Sequence, residues 1–205
     1  MNAVDGFALR IGITQRRRCC SSSGREYDAL DDTWPSWLAR ALPGASLVAI
    51  ANGREDLDQS SIEALILSGG EDVGTSPLRD ATERWALDHA LRNNIPVVGV
   101  CRGMQFLHVQ SGGALAPIDH HVGSPHSVRL NDSTRVMVNS WHRWGIHEAH
   151  PEWTVLALAD DGTVEAFEHR DRPWLGVMSH PERDGGDAVS RWICARLMRR
   201  QVALA

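Results

Sequence analysis

The chain has 205 residues, of which 42% are hydrophobic and 23% charged, and its formal net charge is −5. That length and composition suit one soluble domain over residues 1–205 with a large core. Mild acidity without a basic stripe excludes a general nucleic-acid or membrane-surface binder, and no apolar run approaches the ~20 residues of a membrane span. The opening "MNAVDGFALRIGITQ" has no charged stretch before a long apolar core, so no signal peptide and a cytoplasmic address are expected. Cys19, Cys20, Cys101 and Cys194 form neither a disulfide framework nor a zinc spacing. The histidines of "DHH" and "HRWGIHEAH" match no strong ligand pattern and read as scattered loop residues, so no metal is expected.

In chain order, "FALRIGIT" (Phe7–Thr14) reads as a buried first strand, followed by a polar loop "QRRRCCSSSGREYD". "DDTWPSWLARAL" has helical spacing, and "PGASLVAIA" returns to β-type residues. "SIEALILSGGEDV" reads as a short helix tail, a strand over Ala64–Leu67 and a Gly-Gly turn. In "RDATERWALDHALRNN" a helix is expected with Asp80 as its cap and Glu83 three residues on, as in a capping box. The strand "IPVVGV", a turn at Cys101 and a helix "GMQFLHVQS" ended by Gly112-Gly113 come next. Then short strands take over: "HSVRL", "TRVMVNS", "TVLALA", "VEAFEH" and "WLGVMSH", before a last amphipathic helix, "GGDAVSRWICARLMRR". Strands alternating with helices predict an α/β three-layer sandwich on a mostly parallel sheet, with short extra strands in the second half. Sites on such sheets lie beyond the carboxyl ends of the strands, which gathers Thr14, Ser68-Gly69-Gly70 and Cys101 on one rim.

"GVCRG" at that rim has the strand–turn–helix context of a nucleophile elbow with cysteine in place of serine. Its glycines permit a tight turn, and the following helix N-terminus favours a thiolate at Cys101. An inert cysteine buried at a strand end is the plain alternative. "MSHPE" supplies a base, because residues two apart on an extended segment share a side and Glu182 can hold the imidazole of His180. In "ILSGGED" the backbone N–H of Gly70, with Gly69 as a second choice, and that of Arg102 could converge on an oxyanion. The Arg102 side chain stays open between a substrate carboxylate and an internal ion pair. Arg16, Arg17 and Arg18 leave the first strand on the same rim, where guanidinium forks suit a phosphate-bearing leaving group. A solvated basic loop is the bland alternative.

"LILSGGEDV", "PVVGVCRGMQFL", "VNSWHRWGI" and "MSHPE" resemble, in order and over nearly the whole chain, the class I glutamine amidotransferase-like hydrolases. "CRGMQ" in place of "CLGHQ" is similar to the γ-glutamyl hydrolase branch, of the peptidase C26 type. The resemblance implies a flavodoxin-like fold, a Cys101–His180–Glu182 triad, and Gly69 and Gln105 beside the γ-glutamyl group. It also implies that Ser140, Trp141 and His142 line that pocket. "IGITQRRR" with "REYDALDDTWPSWL" is similar to a compact subgroup that hydrolyses γ-glutamyl-CDP-amidate, although "GGEDVGTSPLRDATE" departs from the Pro/Tyr-rich loop of longer members. The expected activity is hydrolysis of a γ-glutamyl amide, with no cofactor and a small-molecule substrate as partner. The fold leaves room for a homodimer. The rivals are a glutaminase feeding ammonia to a separate synthetase, a γ-glutamyl-amine hydrolase, and a non-catalytic binding protein.

Overall fold

The computed structural model describes residues 9–54, 56 and 62–198. Its centre is a nine-stranded sheet in the order β4-β1-β5-β6-β13-β12-β11-β8-β9. The five strands β4 (Ser46–Ile50), β1 (Arg10–Thr14), β5 (Ala64–Leu67), β6 (Val97–Val100) and β13 (Trp174–Val177) run parallel. The remaining four, β12 (Val164–His169), β11 (Trp153–Ala159), β8 (His126–Leu130) and β9 (Arg135–Val138), extend the sheet antiparallel. The expected first strand is present from Arg10; Phe7 and Ala8 lie outside the described residues. Of the helix tail expected before β5, Ser61 lies outside the described residues, and Ile62 and Glu63 are not helical.

Period-two alternation produces the layers. Ala64 and Ile66 face a core shared with α1 (Thr33–Ala41) and α4 (Asp187–Leu197), through Trp34, Trp37, Val189 and Ile193. Leu65 and Leu67 face the opposite core, filled by Ala86, Leu87 and Ala90 of α2 (Pro77–Arg92) and Met104, Phe106 and Leu107 of α3 (Arg102–Gln110). Because β1, β5, β6 and β13 are parallel, their carboxyl ends share one rim. No described helix is long and apolar enough to cross a membrane.

Two local expectations are corrected. The polar loop after β1 contains a hairpin of β2 (Arg16–Cys19) and β3 (Glu26–Ala29) in antiparallel register. Arg17 pairs across the strands with Asp28 and Glu26, and the polar hairpin has no apolar alternation to announce it. Helix α2 starts one turn before Asp80, at Pro77 with Ser76 as N-cap, because proline suits the first helical position. Asp80 and Glu83 are therefore not a capping box but are buried beneath the rim.

There they join a polar network that ties three strand ends together. The Glu83 carboxylate accepts from Thr14 Oγ1 at 2.8 Å and Arg79 Nε at 3.0 Å, and it pairs with Arg102. Arg102 also pairs with Asp80, so the first residue after Cys101 is bolted to α2. Arg79 Nη2 donates to the carbonyls of Ser68 at 2.7 Å and Gly69 at 3.2 Å. Ser68 completes the ring: its N–H donates to Thr14 Oγ1 at 3.1 Å and its hydroxyl to the Thr14 carbonyl at 2.6 Å. Removing one charge from a buried group of this kind strands the others, at a cost of about 3–5 kcal/mol, whereas an exposed pair contributes about 0–1 kcal/mol. Glu83→Gln should accordingly lower the unfolding free energy in urea by about 3–5 kcal/mol. Asp160→Asn, which breaks the exposed Arg135 pair, should cost no more than about 1 kcal/mol. Equal losses in the two variants would contradict a network that organises the rim.

Candidate active site

Cys101 stands at the sharp turn between β6 and α3, with φ 51° and ψ −107°. A side-chain-bearing residue held in such a backbone well costs about 1–3 kcal/mol, and this strain is found where a nucleophile must project from a turn. The flanking glycines have definite reasons. A Cβ at Gly103 would lie 2.1 Å from the Leu67 carbonyl oxygen, and one at Gly99 would lie 2.5 Å from the Gly103 backbone. The elbow therefore packs backbone against backbone, on both β5 and its own helix.

His180 and Glu182 follow β13. The strand ends at Val177, so the two residues sit in a turn rather than on the extended segment expected from sequence. The contact forms nonetheless: His180 Nδ1 is 2.7 Å from Glu182 Oε1, with both residues buried. Nδ1 donates to the carboxylate, which leaves Nε2 for the sulfur. Burial alone would lower the His180 pKa. The charge and hydrogen bond of Cys101, then the hydrogen bond of Glu182, outweigh it and raise the value to about 9. The arrangement is a cysteine, an imidazole that keeps a proton at neutral pH, and an orienting carboxylate.

The other expected site residues divide. Gly69 backs the His180 ring, since a Cβ there would lie 2.7 Å from His180 Cε1. Gly70 faces Arg79 and Arg16, and a Cβ there would lie 2.2 Å from Arg79 Nη1. Because Arg79 takes the carbonyls of Ser68 and Gly69, the N–H groups of Gly69 and Gly70, trans to them, point away from that guanidinium. Arg102 contributes its side chain to the internal ion pairs, which resolves that alternative. Gln105 Nε2 donates to the Trp144 carbonyl at 2.8 Å. Ser140 donates to the His121 carbonyl at 2.6 Å, and His142 Nδ1 donates to the Trp144 carbonyl at 3.1 Å. Trp141 is exposed, with the Arg183 guanidinium 5.7 Å from its ring. Of the three arginines, Arg17 is committed to the hairpin, pairing with Asp28 at 2.8 Å and Glu26 at 2.6 Å, while Arg16 lies against Gly70.

Two contributors escaped the sequence reading. Asn139 brackets His180: its Oδ1 accepts the His180 N–H at 2.8 Å and its Nδ2 donates to the His180 carbonyl at 2.8 Å. No local pattern announces that contact, which joins residues far apart in the chain. Arg79 was detectable. Arg79, Glu83, Ala86 and Ala90 form one helical stripe, so two charged residues occupy core-facing positions and require buried partners.

Two expectations follow from this geometry. Cys101→Ser should retain the fold by circular dichroism and lose turnover by several orders of magnitude, while Cys19, Cys20 and Cys194 variants keep it. Near-normal turnover in Cys101→Ser would remove the nucleophile. The pH profile carries the second. His180 is raised, so its protonated form is present below the ordinary value near 6.5 and is lost as pH rises through about 9. The alkaline limb of kcat/KM should therefore fall near pH 9 and move to lower pH in Glu182→Gln, where the carboxylate charge is gone. An unmoved limb would separate Glu182 from the base.

Comparison with known proteins agrees with this geometry. The family model described as Peptidase C26 matches residues 11–182. A γ-glutamyl-CDP-amidate hydrolase of Campylobacter jejuni is 30% identical over 184 residues, covering 86% of this chain and 91% of that one. Among solved structures, a candidate GMP synthase component of Thermoplasma acidophilum superposes with a TM-score of 0.75 at 19% identity, covering 98% of this chain and 100% of its own. A glutamine amidotransferase of Thermotoga maritima gives 0.64 at 16% identity, covering 97% of this chain and 85% of its own. The fold is thus that of the class I glutamine amidotransferases, and the chain belongs to the Peptidase C26 family as a hydrolase acting on an amide bond.

Proposed function

We propose that the chain hydrolyses a γ-glutamyl amide whose leaving group is a nucleotide amidate, with γ-glutamyl-CDP-amidate as the substrate that best fits. The Cys101 sulfur attacks the γ-carbonyl, and the oxyanion is met by the N–H groups of Gly70 and Arg102. His180 gives its Nε2 proton to the departing nitrogen as the C–N bond breaks, leaving a glutamyl thioester. The now neutral imidazole takes a proton from water, whose oxygen attacks the thioester carbon. Glutamate leaves, and sulfur and imidazole return to their starting state. Ser140, Trp141 and His142, with Gln105, form the wall beside the glutamyl group.

The leaving-group assignment rests chiefly on Arg16. It lies against Gly70 with a buried Nε that finds no hydrogen-bond partner. Burial, then the nearby charge of Arg18, lowers its pKa; Glu71 opposes, and Arg79 and Arg183 add to the lowering. A half-buried guanidinium facing other cations, with a donor unspent, is poised for a polyanion. The Campylobacter jejuni relative is, by its name, a hydrolase of a substrate that carries one.

The pairing within the hairpin narrows the test to Arg16 and Arg18, which alternate onto one side of β2, while Arg17 serves the fold. Replacing Arg16 and Arg18 together by Ala should lower kcat/KM for a γ-glutamyl nucleotide amidate by about 10- to 100-fold, the loss of a charge-assisted contact worth about 1.5–3 kcal/mol. Cleavage of free glutamine should hardly change. Equal loss of both activities, or of neither, would overturn the nucleotide assignment and favour a smaller amine.

A further inference from the structure

Histidines from three separate loops and strands meet at one carboxylate. His121 Nδ1 and His142 Nε2 are each 3.4 Å from Glu165 Oε1 and 3.3 Å from each other. His126 Nε2 approaches the same oxygen at 3.7 Å. Glu165 is only 4% exposed, and neither of its oxygens has a hydrogen-bond partner; His126 Nε2 has none either.

The opposite nitrogens decide what these atoms are. His142 Nδ1 faces the Trp144 carbonyl at 3.1 Å and His126 Nδ1 faces the Ser124 carbonyl at 3.2 Å. A carbonyl only accepts, so both nitrogens carry hydrogen. His121 Nε2 is 2.9 Å from the carboxylate oxygen Asp161 Oδ2, which accepts from it. In neutral imidazoles, the three inward nitrogens then present lone pairs to one another and to a buried carboxylate. One proton shared by His121 and His142 satisfies that pair and leaves Glu165 without a donor.

We propose that His121, His142 and Glu165 bind a divalent transition-metal cation of the zinc class, with the fourth position left to solvent and His126 beside the carboxylate. Ligand atoms about 2.0–2.1 Å from a tetrahedral zinc lie about 3.3–3.4 Å apart, which is the spacing of this triangle. Outer partners that fix ring tautomers, a carboxylate on one ring and carbonyls on the others, are the usual second layer of such centres. Two carboxylates, Glu165 and Asp161, with neutral imidazoles balance a double positive charge. The site belongs to no step of the proposed hydrolysis. It ties His121 and His142 to β12, and Asn139, which brackets His180, lies on the same short segment as His142. The ion would thus fix the wall of the reaction cleft.

The protein, stripped with a chelator and dialysed, should be titrated with zinc chloride and, separately, with cobalt(II) chloride. The wild type should take up one equivalent per chain, show the visible bands of tetrahedral cobalt, and unfold at a midpoint several degrees higher with zinc. Glu165→Gln and His121→Ala should lose the cobalt bands and the thermal shift. Should a variant fail to fold, the wild-type stoichiometry and spectrum still decide the matter. Failure of the wild type to bind, an octahedral cobalt spectrum, or unchanged binding in both folded variants would overturn the site and leave protons as the charges that meet Glu165. None of these readouts depends on the hydrolytic substrate.

Discussion

The rim of this sheet depends on one buried interaction, the Glu83 carboxylate held between Arg79 and Arg102. Neither arginine is accessible, so each charge must be met inside the protein. Meeting it draws the ends of β1, β5 and β6 onto α2 in a fixed arrangement. Thr14 reaches Glu83 directly, Ser68 and Gly69 are held by Arg79, and the residue after Cys101 is held by Arg102. Placing charges here is costly compared with an apolar core. It determines the direction of backbone carbonyls, which hydrocarbon packing does not, and a hydrolase that uses backbone donors needs their direction.

Cys101, His180 and Glu182 are held by this frame from two sides. Cys101 occupies a strained turn that the close approach of Gly103 to Leu67 makes unavoidable, and Gly69 gives the His180 ring a flat surface to lie on. Asn139 fixes the backbone of His180 from the antiparallel half of the sheet. His180 is thus clamped between the parallel strands that carry Cys101 and the added strands that carry the histidine cluster. The antiparallel extension works as a second support for the site, not as decoration on the fold.

The arginine run shows how the same residues can read alike in sequence and differ in space. Arg16, Arg17 and Arg18 are consecutive and equally basic, yet strand alternation sends Arg17 to Asp28 and Glu26 while Arg16 turns to Gly70. The hairpin that causes this has charged cross-strand pairs instead of apolar alternation, so hydrophobic pattern could not reveal it. The acids of α2 misled for a related reason. Asp80 and Glu83 have the spacing of a capping box, and local spacing does not say whether a helix end lies in water or over two buried guanidiniums.

By itself the sequence determined what short-range rules govern. β-rich runs separated by helical spacing required an α/β sheet, glycines around a cysteine required a tight turn, and His-Pro-Glu after a strand brought an imidazole and a carboxylate together. Each rests on steric or periodic constraints spanning a few residues; the sheet, the turn at Cys101 and the contact of His180 with Glu182 stand in the structure, the last in a turn and not on extended chain. Only the tertiary structure decided which charges neutralise which. The pairing of Arg102 with Glu83, the bracket of Asn139 around His180, and the meeting of His121, His126 and His142 at Glu165 all join residues distant in the chain. Charge interactions depend on separation and burial in space, and neither is set until the strands have taken their order in the sheet.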